Sequence, residues 1–182
     1  MPGHGLLNMA RQLFEWLWIK KPARYKPHGS YRLNDVIDAQ LSKYSQTVGN
    51  CLGLTLLYNC LLRRMDIKAT AIYLENAFGI GPHVLTSLET EESLIDIENI
   101  LPGGFDYEGH LNNSSRTIWG DMELISDIYH SLGNESFEKG ELPVALNYYD
   151  MAINLSPKHE KGRLNRAILL DRMEIEKKPD KE

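Results

Sequence analysis

Cys51, His83 and Asp96 have the side-chain types that thiol chemistry requires, a nucleophile, a base and a carboxylate. Cys51 follows Gly49-Asn50 and opens an apolar run, Leu52 to Leu62, which predicts a central buried helix from Cys51 to about Met65. A thiol at a helix N-terminus meets free backbone N–H groups and the positive end of the helix dipole. Both favour the thiolate, which is the nucleophilic form. Cys60, on the same helix, falls roughly 13 Å further along, too far for a disulfide, and is assigned to buried packing. His83 begins a strand after the turn Gly79-Ile80-Gly81-Pro82. With Thr90-Glu91 as a two-residue hairpin loop, Asp96 falls opposite Leu85, on the His83 face and diagonal to it, with Cβ atoms about 7 Å apart or less. A carboxylate there can hold the imidazole tautomer and stabilise its charged form. A one-residue slip turns Asp96 away. The plainer alternative makes Cys51 a small core residue and His83 a satisfied turn histidine.

The elements that must position these groups are legible around them. Lys68–Phe78 is rich in β-formers, His83–Leu88 reads as a second strand, and Leu94–Ile97 completes a hairpin beyond an acidic tip at 89–92. Asn34 is the expected N-cap of a helix from Asp35 to about Ser45. Before it, Gly5–Ile19 carries Leu6, Leu7, Ala10, Leu13, Phe14, Leu17 and Trp18 at helical spacing, an amphipathic helix that docks on the domain or meets a membrane surface or partner. From Pro102 to Thr117 glycine, asparagine and serine mark a loop or domain boundary. Three helices follow, about Ile118–Leu132, Pro143–Leu155 and Lys158–Lys177, and then a frayed charged tail, Lys178–Glu182.

Residues 31–110 resemble the transglutaminase-like superfamily, whose core is papain-like. The resemblance is carried by Gly49-Asn50-Cys51-Leu52-Gly53-Leu54-Thr55, by Pro82-His83-Val84 and by Ile95-Asp96-Ile97-Glu98-Asn99. It implies a cysteine-bearing helix against an antiparallel sheet and a thiol mechanism on an amide or acyl carbonyl. In that mechanism Cys51 attacks, His83 acts as base and then acid, and Asp96 orients His83. The Cys51 N–H would supply one oxyanion donor and Gln46, a few residues upstream, a second.

Residues 118–178 resemble a tetratricopeptide repeat followed by one closing helix. Such repeats are helix hairpins of about 34 residues with small residues where the helices cross. With Pro157 at the repeat end, Tyr129, Leu132, Gly133, Gly140, Ala145, Tyr149 and Ala152 fall on the signature positions, and Asn165-Arg166-Ala167 opens the next helix. Gly133 and Ala145 let the helices approach, and Tyr149 and Leu132 fill the space between. Such a module completes the fold or offers a surface for a protein or peptide partner.

The remaining expectations follow from composition. The 182 residues are 42% hydrophobic and carry a net charge of −5, which argues against a general nucleic-acid binder. Two cysteines make no disulfide framework, so a reducing, cytoplasmic compartment is the default. No apolar run reaches the roughly 18 residues of a membrane span. The histidines His4, His28, His110, His130 and His159 show no metal-ligand spacing, and no phosphate loop or dinucleotide fingerprint is present, so neither metal nor cofactor is expected. The expected class is α+β, with residues 1–30 as an N-terminal helix and linker. Two functions remain open: a thiol hydrolase or acyltransferase, and an inactive transglutaminase-like scaffold for protein–protein interaction.

Overall fold

The structure is a computed structural model that describes residues 2–90 and 93–177. It is α+β, and its residues group into two compact units, 1–120 and 121–182. The expected acidic tip includes Glu91 and Glu92, which lie outside the described residues, as does the tail from Lys178.

The first unit begins with α1 (Pro2–Lys20), whose Ala10, Phe14, Leu17 and Trp18 enter the main core beside Tyr58, Leu62, Ile97 and Phe105. The helix is therefore part of the domain. The Tyr58 hydroxyl donates to the Ala10 carbonyl at 2.7 Å, satisfying the one polar atom this aromatic buries. Helix α2 (Leu33–Leu41) starts earlier and stops earlier than expected, with Arg32 rather than Asn34 at its N-cap and no side-chain cap. Ser30 explains the entry: its hydroxyl donates to Asp35 in the first turn at 3.0 Å and accepts from the Arg32 N–H.

Helix α3 (Cys51–Arg64) forms where the apolar run places it, and Asn50 caps it by accepting from the Gly53 N–H at 3.0 Å. Gly53 is required by close approach. A Cβ there would stand 2.5 Å from the Ser30 carbonyl oxygen, so only glycine lets the 29–31 segment lie against the start of this helix.

Strands β1 (Ala69–Ala77), β2 (Gly81–Glu89), β3 (Leu94–Ile97) and β4 (Thr117–Trp119) form one antiparallel sheet in the order β3-β2-β1-β4. β4 takes Thr117 from the expected loop and Ile118 and Trp119 from the start of the expected helix, so the helix after it begins three residues later. Too short to show a period, the strand is fixed by pairing with β1 and by Trp119 stacking on Tyr73 with ring centroids 4.2 Å apart. The β1–β2 turn holds Phe78, Gly79 and Gly81 at positive φ. β2 is buried almost throughout, as a central strand facing α3 must be.

Buried polar groups bolt α3 to this sheet. Thr55 Oγ1 donates to the Val84 carbonyl, and Thr86 Oγ1 donates to Asn59 Oδ1. Asn99 Nδ2 then donates to both hydroxyls, at 3.2 and 2.9 Å. Each buried group finds a partner, and the set fixes β2 and the chain after β3 against one helix face.

The second unit is α4 (Asp121–Glu138), α5 (Leu142–Leu155) and α6 (Glu160–Lys177). α4 runs further than expected and ends before Gly140, which holds φ +77° in the connection. Gly133 allows the close crossing: a Cβ there would meet the Tyr149 ring at 2.5 Å. Tyr149, Ala145, Leu142 and Leu169 form the small core.

Candidate active site

Cys51 stands at the first position of α3, and Asn50, the residue before it, is fixed by its cap and by the Asn50 N–H to the Ser30 carbonyl. His83 is the third residue of β2 and pairs with Leu74 of β1. The structure brings the two together closely enough for the Cys51 side chain to raise the His83 pKa. His83 Nε2 is committed elsewhere, to the Glu98 carboxylate at 2.8 and 2.9 Å, which leaves Nδ1 for the sulfur. His83 is 6% exposed and Glu98 0%.

Asp96 takes a different place from the one expected. The connection between β2 and β3 is not a two-residue loop: Glu89 pairs with Leu94, and Thr90 closes on Ser93 through both backbone and hydroxyl. Pairing therefore shifts by two residues. Asp96 lies opposite Ser87, four residues and about 13 Å along β2 from His83. There its carboxylate receives the Arg116 guanidinium, with Nη2 donating to Oδ1 at 2.7 Å. Because the shift is even, the face is preserved, and continuing the register one step past Thr86–Ile97 brings Glu98 level with Leu85, the position assigned to Asp96. Glu98 is held from its own side too, with its N–H on the Gly104 carbonyl and Oε1 accepting from the Ile100 N–H.

The electrostatics follow from this enclosure. Burial alone would lower the His83 pKa, but the Cys51 side chain, the hydrogen bonds to Glu98 and the carboxylate charge overcome it and raise the value to about 9. Burial alone would raise that of Glu98, yet the His110 and His83 imidazoles and the Ile100 N–H hold it below the usual carboxylate range. Cysteine and carboxylate thus act on one imidazole, an arrangement in which the ring can exchange a proton with the sulfur while the carboxylate stabilises the imidazolium.

Three further groups escaped the sequence reading. His110, buried and 3.3 Å from Glu98 through Nε2, comes from the loop after β3. Phe78 sets its ring against both histidines, with centroids 5.6 Å from His83 and 4.7 Å from His110. Tyr25 bridges to Gly49, and burial together with the charges of Cys51 and Glu98 raises its pKa. No local motif announces any of them. Gln46 is exposed in the loop before α3, and no bond joins its side chain to Cys51 or His83. Cys60, assigned to buried packing, is half-buried like Cys51.

Among the described residues no helix is long and apolar enough to cross a membrane. No protein-family model, curated protein or solved structure matches the chain.

Proposed function

We propose that the chain is a thiol-dependent hydrolase or acyltransferase acting on an amide or acyl carbonyl, with a transglutaminase-like, papain-like core and a tetratricopeptide-type helical unit. Cys51 is the nucleophile, His83 the general base and then acid, and Glu98 the group that orients His83. The observation that carries this is the buried His83 imidazole bonded to the Glu98 carboxylate at 2.8 Å while Cys51, at the start of α3, acts on the same ring. The Cys51 sulfur adds to the carbonyl carbon, and the tetrahedral oxyanion meets the Cys51 N–H at the start of α3. His83 then passes the proton taken from sulfur to the leaving group. Water or an acceptor amine completes the reaction on the acyl-enzyme. In the helical unit, a hollow of about 210 Å³ lined by Asn134, Phe137, Tyr149, Asn165 and Ile168 supports a role in holding a protein or peptide partner. Cys51 and Cys60, neither of them in a disulfide, suit a reducing, cytoplasmic setting.

The test is acyl-enzyme formation with an activated ester. p-Nitrophenyl acetate should release a burst of nitrophenol and leave one acetyl group on Cys51, located by peptide mass mapping. The burst should vanish in Cys51→Ala and fall at least about 100-fold in His83→Ala. No burst, or equal labelling of Cys51 and Cys60, favours the scaffold reading and sinks the enzyme.

A further inference from the structure

Two groups of histidines and a carboxylate gather in the molecule, and they differ in how their polar atoms are used. In the helical unit Asp127, His130 and His159 form a closed set. His159 Nδ1 accepts the Gly162 N–H at 2.9 Å, and His130 Nε2 faces the Asn165 amide at 3.0 Å. A cation on His159 Nε2 would require a proton on Nδ1, pointing at the Gly162 N–H. That set is structural, and its histidines hold the Asp127 pKa down against burial.

The other set is His83, Glu98 and His110, whose ligand atoms lie within 4.8 Å of one another, all on buried side chains. His110 Nε2 approaches Glu98 Oε2 at 3.3 Å but out of line for a hydrogen bond, so it is a fully buried nitrogen with no hydrogen-bond partner, directed at a carboxylate. Natural proteins seldom leave such an atom unused. Two bonds of about 2.0–2.1 Å at a tetrahedral angle separate their ligand atoms by roughly 3.3 Å, which His110 and Glu98 already match; His83 Nε2, 2.8 Å from Glu98, needs a shift of about half an ångström. Two imidazoles and one carboxylate suit zinc and its borderline neighbours, whereas magnesium and calcium prefer oxygen alone.

We propose that His83, Glu98 and His110 bind one zinc-class divalent cation, and that the bound ion withdraws His83 from thiol chemistry. The site stands on its own geometry; the second half rests on the thiol reading above. Binding replaces the proton shared by His83 Nε2 and Glu98 with the metal, and that proton leaves to solvent. On the thiol reading Nδ1–H remains for the Cys51 sulfur, the outer partner a metal-bound imidazole wants. A ligated imidazole that keeps its Nδ1 proton has no lone pair left to take the proton of the Cys51 thiol, and as a far weaker acid than an imidazolium it cannot protonate a leaving amine, so acylation fails at its first step. The Cys51 sulfur is served by the other ring nitrogen and is not a ligand.

The experiment titrates chelator-treated protein with zinc, and separately with cobalt(II) followed by its visible absorption. One equivalent should bind, with the bands of a four- or five-coordinate nitrogen–oxygen site and no thiolate-to-cobalt band. Cys51→Ala and Asp127→Asn should bind as the parent does, and His110→Ala and His110→Gln should bind at least about 10-fold more weakly while keeping the parent circular dichroism spectrum. No binding, unchanged binding in both His110 variants, loss in Asp127→Asn, or a thiolate band each overturns the site. In the bound protein, Cys51 acylation should fall at least 10-fold and return on chelation. If the metal binds and acylation is unchanged, the coupling is overturned. If no metal binds but the acyl burst is present, the thiol reading stands without it.

Discussion

Glu98 Oε2 lies 2.8 Å from His83 Nε2, and both side chains are buried, while Asp96, two residues earlier, is bound to Arg116. Two carboxylates on one short segment therefore have different work, one on the imidazole and one on a guanidinium.

Substitution should separate them. Glu98→Gln keeps the shape but removes the charge that stabilises the imidazolium, so acylation should fall about 100-fold or more. Asp96→Asn should leave acylation within about threefold and instead destabilise the first unit by about 3 kcal/mol, because Arg116 loses a buried anionic partner. Burst amplitude and urea denaturation of the two variants check this; the reverse pattern would return the orienting role to Asp96.

Stability should depend on pH in a defined window. Since folding raises the His83 pKa to about 9, its contribution is fully present below its ordinary value of 6.5 and fades as pH rises through about 9. Folding lowers the Glu98 pKa, so its contribution is present above the ordinary 4.5 and is lost as pH falls through its depressed folded value. The pair thus stabilises best between about 4.5 and 6.5. Thermal denaturation of parent and His83→Gln across pH should show the difference shrinking toward pH 9 and above.

The polar set linking α3 to the sheet should be costly to break. Thr55→Val removes the donor to Val84 and one acceptor of Asn99, leaving buried groups unpaired at a cost of about 1–3 kcal/mol. Because Asn99 adjoins Glu98, acylation should also decline. Urea denaturation and the burst assay on one sample read both effects.

In the helical unit, Gly133→Ala places a methyl 2.5 Å from a Tyr149 ring that its hydroxyl ties to Asn134. Overpacking of this kind costs about 1–3 kcal/mol. Amide hydrogen exchange should show α4 and α5 opening more often, with β2 unaffected.

The sequence made some of this legible and hid the rest for physical reasons. The apolar run behind Cys51 and the β-rich stretch before His83 are local signals, and each produced its element. The His83 partner depended on hairpin register, which the Thr90–Ser93 closure sets and which no residue type near Asp96 reveals. The even shift kept the correct face and exchanged Asp96 for Glu98. His110 and Tyr25 arrive from segments distant in sequence and Phe78 from the turn before β2, where neither period nor spacing marks a residue as facing a site. β4 is three residues long and exists through its partner.

The most direct test of the Cys51–His83–Glu98 unit is the rate of Cys51 alkylation by iodoacetamide against pH, measured in a Cys60→Ala background because both thiols are half-buried. The account predicts a plateau of fast reaction well below pH 8, lost at least about 10-fold in both His83→Ala and Glu98→Gln. A single rise near pH 8.5, the same in all three proteins and no faster than a free cysteine, would contradict it.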